Sequence, residues 1–332
     1  MGIKSLTQTI KKYSPDSIIH DNLYKLSGKK VAVDASLIIY QQLLNTPHGR
    51  FFTNKEGKIT NHITGLFYKI MNYISLNIEL IFIFDGKPPD NKYKTIQKRK
   101  EKSEKAKIEL NNNNNLNEEE KNKLKKESIR LTKNMINDVK YLLNLLGISY
   151  IDADGEGEAV ASELCRINYV DYVLSEDMDS LVYGCPKLIR NCIDKKLKRK
   201  DIISIFDYHQ ILKDLNLNND QFMDFCILCG CDYCNSVPKI GNITAFKLIQ
   251  KYKTIENIID NTNFDFPENY LTDFNNSKKN FKLFYNKIDI NQLNIHSSFK
   301  NIPKLQNYLI HDIQMNEKRV QNTLKKFNNN YK

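Results

Sequence analysis

No stretch of this chain approaches the ~20 consecutive apolar residues of a membrane span, and its start lacks the apolar core of a secretory signal. The expectation is a soluble, intracellular protein. Lipid attachment at MGIKSL is not expected either, because Leu6 stands where that pattern needs Ser or Thr. Cysteine is sparse outside one run, CILCGCDYC, which holds Cys226, Cys229, Cys231 and Cys234. Structural zinc sites bring two separated pairs together across a fold, whereas four thiols within nine residues of helix and turn do not easily converge on one ion. Buried free thiols in a reducing compartment are the expectation. No internal repeat is evident.

What the chain does have is length, a core and positive charge. Its 332 residues, 41% hydrophobic with 18 Tyr and 16 Phe, can bury one large core or two ordinary ones. A net charge of +11 suits a polyanionic partner through phosphate contacts, although enrichment in Lys can also serve solubility alone. Against this basic background, seven acidic residues fall where the chain turns out of a strand or into a helix: Asp34, Asp85, Glu156, Glu158, Asp177, Asp179 and Asp232. Carboxylates gathered at strand ends repel one another unless a cation neutralises them, and hard divalent ions with a preference for oxygen do so best.

The organisation supports that gathering. VAVDA (31–35) and LIFIFD (80–85) are short apolar runs ending in a carboxylate, the pattern of buried parallel strands. ITGLFYKIMNYISL (63–76) between them has helical spacing, so the right-handed crossover rule puts Asp34 and Asp85 at one sheet edge. ISYIDA (148–153) and YVLSED (172–177) repeat the strand pattern around a helix in EGEAVASELCRI. The fold class is therefore α/β with a central, mostly parallel sheet, whose ligands bind beyond the strands' carboxyl ends.

Residues 86–135 differ in kind: they open with GKPPD, run on rich in Lys and Glu, and contain five consecutive Asn at 111–115. The Asn run is expected to be disordered, and its flanks to form two solvated helices over the carboxylate edge. From about residue 220, DQFMDFCILCG and TAFKLIQKY read as helices joined by CDYCNSVPKIGN, a turn closing on Gly241 whose backbone N–H groups can hold a phosphate. Residues 255–332 read as helical and polar.

Paired divalent ions about 4 Å apart cleave phosphodiesters by activating water and stabilising the leaving oxygen. Magnesium takes few protein ligands per ion, so several carboxylates are needed. Glu156 and Glu158 flank one Gly, and Asp177 and Asp179 flank Met178, so in extended backbone each pair faces one way. One such pair could be ordinary helix capping. Four segments bringing carboxylates to one sheet edge are harder to explain that way.

MGIKSL, KKVAVDASLIIYQ, IFIFDGKPP, YIDADGEGEA, SEDMDSLVYG and GCDYCNSVPKIG together resemble the flap endonuclease branch of the XPG superfamily of structure-specific 5′ nucleases, in family order through roughly residues 1–255. The resemblance implies a PIN-like 5′ nuclease fold: a twisted sheet with helices on both faces, a helical arch at 86–135 and a helical-hairpin DNA-binding element at 222–251. It implies one nuclease domain over 1–332, with an N-terminal region (1–105), an internal region (136–254) and a C-terminal helical extension (255–332). It implies that the seven carboxylates hold two Mg2+ ions, for which Mn2+ can substitute. Lys92 and Arg99, two helical turns apart, would reach the scissile phosphate, although a charged stretch is more often a solvated face. Tyr40 would stack on a base, although a lone Tyr in LIIYQQ also suits core packing. Gly2 would lie beside the active site, and Lys239 and Gly241 would meet duplex backbone.

Two departures qualify the resemblance. Lys239 replaces the usual small residue of the hairpin turn, and Asn242, Ile243 and Thr244 replace the basic residues expected after Gly241, which puts a K+ site there in doubt. QNTLKKFN (321–328) has the Gln, aliphatic and aromatic of a sliding-clamp motif but lacks the second aromatic. The implied function is cleavage of 5′ flaps on branched DNA in replication and repair, by a monomer acting in the nucleus or at a cytoplasmic replication site. A 5′-3′ exonuclease, a bubble endonuclease and a non-cleaving branched-DNA binder are the alternatives.

Overall fold

The computed structural model describes residues 3, 5–46, 51–89, 92–113, 115–197, 199, 201–283, 288–297 and 299–329. These form eight strands: β1 Ile18–Asn22, β2 Lys30–Asp34, β3 Glu79–Phe84, β4 Ser149–Asp152, β5 Tyr172–Leu174, β6 Lys187–Asn191, β7 Ile202–Asp207 and β8 Ile295–His296. The helices are α1 Leu6–Tyr13, α2 Ala35–Leu44, α3 Asn61–Ser75, α4 Tyr93–Asn112, α5 Glu118–Ser128, α6 Lys133–Leu146, α7 Gly157–Arg166, α8 Asp179–Val182, α9 Tyr208–Leu215, α10 Asn219–Cys229, α11 Asn242–Tyr252, α12 Ile255–Asp260, α13 Tyr270–Lys282, α14 Ile302–Asn307 and α15 Glu317–Asn329. The fold is α/β. Contacts divide it into two compact units, one of Met1–Asp34, Asp85–Lys92 and Asp152–Leu293, the other of Ala35–Phe84, Tyr93–Ile151 and Asn294–Lys332. No described helix is long and apolar enough to cross a membrane.

In the first unit the strands run in the order β1-β7-β6-β5-β2. The pairs β2/β5 and β5/β6 are parallel, with Val33 opposite Leu174 and Leu174 opposite Ile189. Val31, Ala32, Val33 and Val173 are fully buried, which is why these strands read as continuous apolar runs rather than alternating ones. β7 then pairs antiparallel with β6 and β1, an edge that sequence reasoning did not specify. β5 is also shorter than YVLSED suggested. The Ser175 hydroxyl accepts the Asp177 N–H at 3.0 Å and turns the chain out of the strand after Leu174.

At the far end of this unit, α10 carries a reciprocal capping box between Asn218 and Gln221, and Gly230 ends it at φ 98°. The chain turns through Lys239 at φ 65° before α11 starts after Gly241. All seven cysteines are free, and Cys226, Cys229 and Cys234 are buried. Burial pushes the thiols of Cys229, Cys231 and Cys234 up to about 12. They therefore pack as protonated side chains.

In the second unit, β4 pairs antiparallel with β8, and His296 stacks on Tyr150 at 4.6 Å. A strand in the C-terminal region was not expected. The two helices predicted between 86 and 135 are present as α4 and α5, packed on one another through Ala106 and through Ser103 Oγ, which donates to Ser128 O at 2.8 Å. α4 continues into the Asn run, with the Asn113 N–H bonded to Glu109 O, and α5 restarts under an Asn117/Glu120 capping box. Asn111 and Asn112 are thus helical, where disorder was expected. The clamp-like QNTLKKFN lies within α15, where Leu324 is buried.

Candidate metal centre

Each candidate ligand is placed by backbone geometry that its neighbours enforce. Asp34 is the last residue of β2 and Ser175 follows β5, so the parallel pairing sets them side by side. Ser175 Oγ donates to Asp34 Oδ2 at 2.8 Å while accepting the Asp177 N–H. Asp177 Oδ1 accepts the Asp179 N–H at 3.1 Å, and Asp179 Oδ1 accepts the Ile3 N–H at 2.9 Å. One hydroxyl and two amides therefore fix three carboxylates. Neither Ser175 nor Ile3 was singled out in the sequence; the signal that could have found the first is a hydroxyl placed directly between a strand end and an acidic pair.

A second clip holds the other pair. Asp85 Oδ1 accepts the Gly157 N–H at 2.8 Å, and the Gly86 N–H donates to Gly155 O at 2.8 Å. A Cβ on Gly86 would stand 1.9 Å from Ala153 O, so only glycine permits this approach. Between the two bonds sits Glu156, the residue that precedes α7, with Glu158 in that helix's first turn. The positive end of the helix favours both carboxylates.

The structure brings three of the seven predicted carboxylates into one cluster. Oxygens of Glu158, Asp177 and Asp179 lie within 4.8 Å of one another, the one such cluster of potential ligands among the described residues. Asp34, Glu156, Asp177 and Asp179 are each at most 8% exposed; Asp232 is half-buried and Asp85 exposed. Burial, then Asp177 and Asp34, push the Glu158 carboxyl well above its usual range. Burial, Asp177 and Asp232 do the same to Asp179. Glu156 is raised more modestly, because Lys92 offsets its burial.

Lys92 Nζ is 2.5 Å from Glu156 Oε2 and 3.7 Å from Asp232 Oδ2. Burial works against its charge, but Glu156, Glu158 and Asp232 hold its pKa above the ordinary value for a lysine. Its neighbour Tyr233 shares a hydroxyl bond of 2.9 Å with Tyr183, a pair that sequence reasoning passed over. Carboxylates with one ammonium among them leave an excess of negative charge. That donor set suits hard divalent cations such as Mg2+ or Mn2+, not zinc.

Other predicted positions fall elsewhere. Arg99 lies exposed on α4, and Tyr40 is half-buried on α2; both belong to the second unit. Lys92 precedes α4 by one residue. Lys239 and Gly241 are exposed at the turn before α11. Gly2 lies outside the described residues.

Comparison with known proteins shows the family. The XPG N-terminal domain family matches residues 1–106 and the XPG I-region family matches 147–232. Flap endonuclease 1 of Glycine max is 35% identical over 332 residues, covering 98% of this chain and 86% of that protein. Among solved structures, the flap endonuclease-1 of Methanococcus jannaschii superposes with a TM-score of 0.70 at 28% identity, covering 95% of this chain and 97% of that one. The catalytic core of Rad2 in complex with DNA substrate shares the fold, with a TM-score of 0.72 at 22% identity over 98% of this chain and 100% of that one. With both family regions matched in order and the relatives aligned nearly end to end, the chain belongs to the flap endonuclease branch of the XPG nuclease family.

Proposed function

We propose that this protein is a structure-specific endonuclease that removes 5′ single-stranded flaps from branched duplex DNA during replication and repair. The observation that supports it most is the cluster of half-buried Glu158 with buried Asp177 and Asp179, with Asp34 and Glu156 buried in the same unit of a basic protein. Asp34, Asp85, Glu156, Glu158, Asp177, Asp179 and Asp232 would hold two Mg2+ ions, with Mn2+ as a substitute. Bound ions would supply an activated water and neutralise the leaving oxygen.

The chain's own residues set the geometry. Ser175 Oγ and the Asp179 and Ile3 amides hold Asp34, Asp177 and Asp179, respectively, as acceptors. Lys92 and Arg99 offer positive charge to the target phosphate, and Tyr40 offers a ring to an unpaired base. Helices α4 and α5 form the arch over the flap. Amides at Gly241, together with Lys239, contact the duplex backbone, where K+ would add a bridge. Contacts of this kind read DNA shape rather than sequence.

The test is release of a labelled 5′ flap in Mg2+, measured across flap, nicked, bubble and single-stranded substrates. Flap cleavage should dominate and vanish in EDTA. Asp177→Asn and Asp179→Ala should each lower the single-turnover rate by at least about 100-fold, the scale of losing a key electrostatic group, while flap binding persists. Cleavage at wild-type rate by either variant removes that residue from the set of ligands.

A further inference from the structure

We propose that Lys92 is the resident counter-ion of the carboxylate pocket and must give up Glu156 before the pocket can load divalent cations. The inference rests on the metal-dependent reading above and concerns how that site is regulated. Lys92 Nζ lies 2.5 Å from Glu156 and 3.7 Å from Asp232, so it draws on two of the carboxylates expected to face an ion. A unit charge a few ångströms from a ligand oxygen competes with any cation for the same lone pairs.

The seat is built rather than casual. Nζ stands 5.9 Å from the centre of the Tyr233 ring, within reach of its negative face. The Tyr233 hydroxyl is tied to Tyr183, and both rings meet Phe281 edge-on, at 5.2 and 5.0 Å. Glu156 is fixed in turn by the two hydrogen bonds on either side of it, Gly86 to Gly155 and Gly157 to Asp85. With acid and aromatic both rigid, the ammonium has a defined position to occupy and to leave. Once exchanged out, it is free for the phosphate that a loaded site would act on. The protein would thus avoid presenting a positively charged finger and an empty acidic pocket at the same moment.

The experiment measures Mn2+ affinity by electron paramagnetic resonance, without substrate, for the wild type, Lys92→Met and Lys92→Arg. Lys92→Met should bind about tenfold more tightly, the equivalent of one unit of pKa, and Lys92→Arg should stay near wild type. The Lys92 ammonium signal in nitrogen-15 spectra of the wild type should shift and exchange faster with solvent as Mg2+ is added. Unchanged or weaker Mn2+ binding by a folded Lys92→Met protein overturns the proposal, as does an ammonium signal indifferent to Mg2+. If Mn2+ binds none of the three proteins, the metal-dependent reading falls with it; equal binding by all three sinks the counter-ion alone.

Discussion

Lys239 sits at φ 65°, in the left-handed region where a Cβ costs roughly 1–2 kcal/mol, yet the residue is exposed and donates a charge at the turn before α11. Strain of this kind is kept when the side chain does something that a glycine could not. Lys239→Gly should therefore move the denaturation midpoint upward by an amount worth about 1 kcal/mol while weakening affinity for duplex DNA. Equilibrium denaturation and a binding titration check the two halves, and a Gly variant that is less stable would contradict the strain. Ser175 shows the opposite economy at the same scale: one hydroxyl serves two aspartates, and no charge pattern in the sequence would reveal it.

Among elements, the loop from β4 into α7 shows how close packing and ligand placement meet. The Gly86 Cα approaches Ala153 O so nearly that any side chain must push the Asp154–Gly157 turn away. Gly86→Ala should cut flap cleavage by an order of magnitude or more through displaced Glu156 and Glu158, with Kd for the flap little changed, a 1 Å misplacement being enough for such losses. Single-turnover kinetics beside binding measurements would decide it; full activity would mean that the clip is ornamental. This part of the molecule was legible early, because buried parallel strands leave continuous apolar runs and their terminal carboxylates stand out. β1, β7 and β8 were not legible. Their antiparallel pairings join segments far apart in sequence, and IIHDN or a two-residue strand carries no period of its own. Likewise the Tyr183–Tyr233 bond joins residues whose proximity only tertiary packing creates.

For the molecule as a whole, the acidic pocket taxes stability whenever it is empty. The Glu158 and Asp179 carboxyls are raised above their unfolded values, so between about pH 4 and their folded pKa values the native state binds more protons than the unfolded chain. The derivative of unfolding free energy with pH is then negative, and stability falls as pH rises through that window. Lys92, also raised, loses its contribution only above the ordinary lysine range and does not affect this interval. Thermal unfolding in EDTA should show a melting temperature that drops from pH 5 to pH 8, and Mg2+ at about 100 times its Kd should restore about 2.7 kcal/mol at the upper end. A flat profile in EDTA, or one that rises, would mean that these carboxylates are not mutually strained. The thiols carry a practical consequence of their own. Six of the seven cysteines are buried, and Cys231, half-buried, has its thiol held up to about 12, which leaves little thiolate at neutral pH for a maleimide to capture. A single cysteine introduced on the exposed face of α4 could therefore carry a fluorophore without first stripping out the native ones, opening that helix to distance measurements in a protein otherwise unaltered.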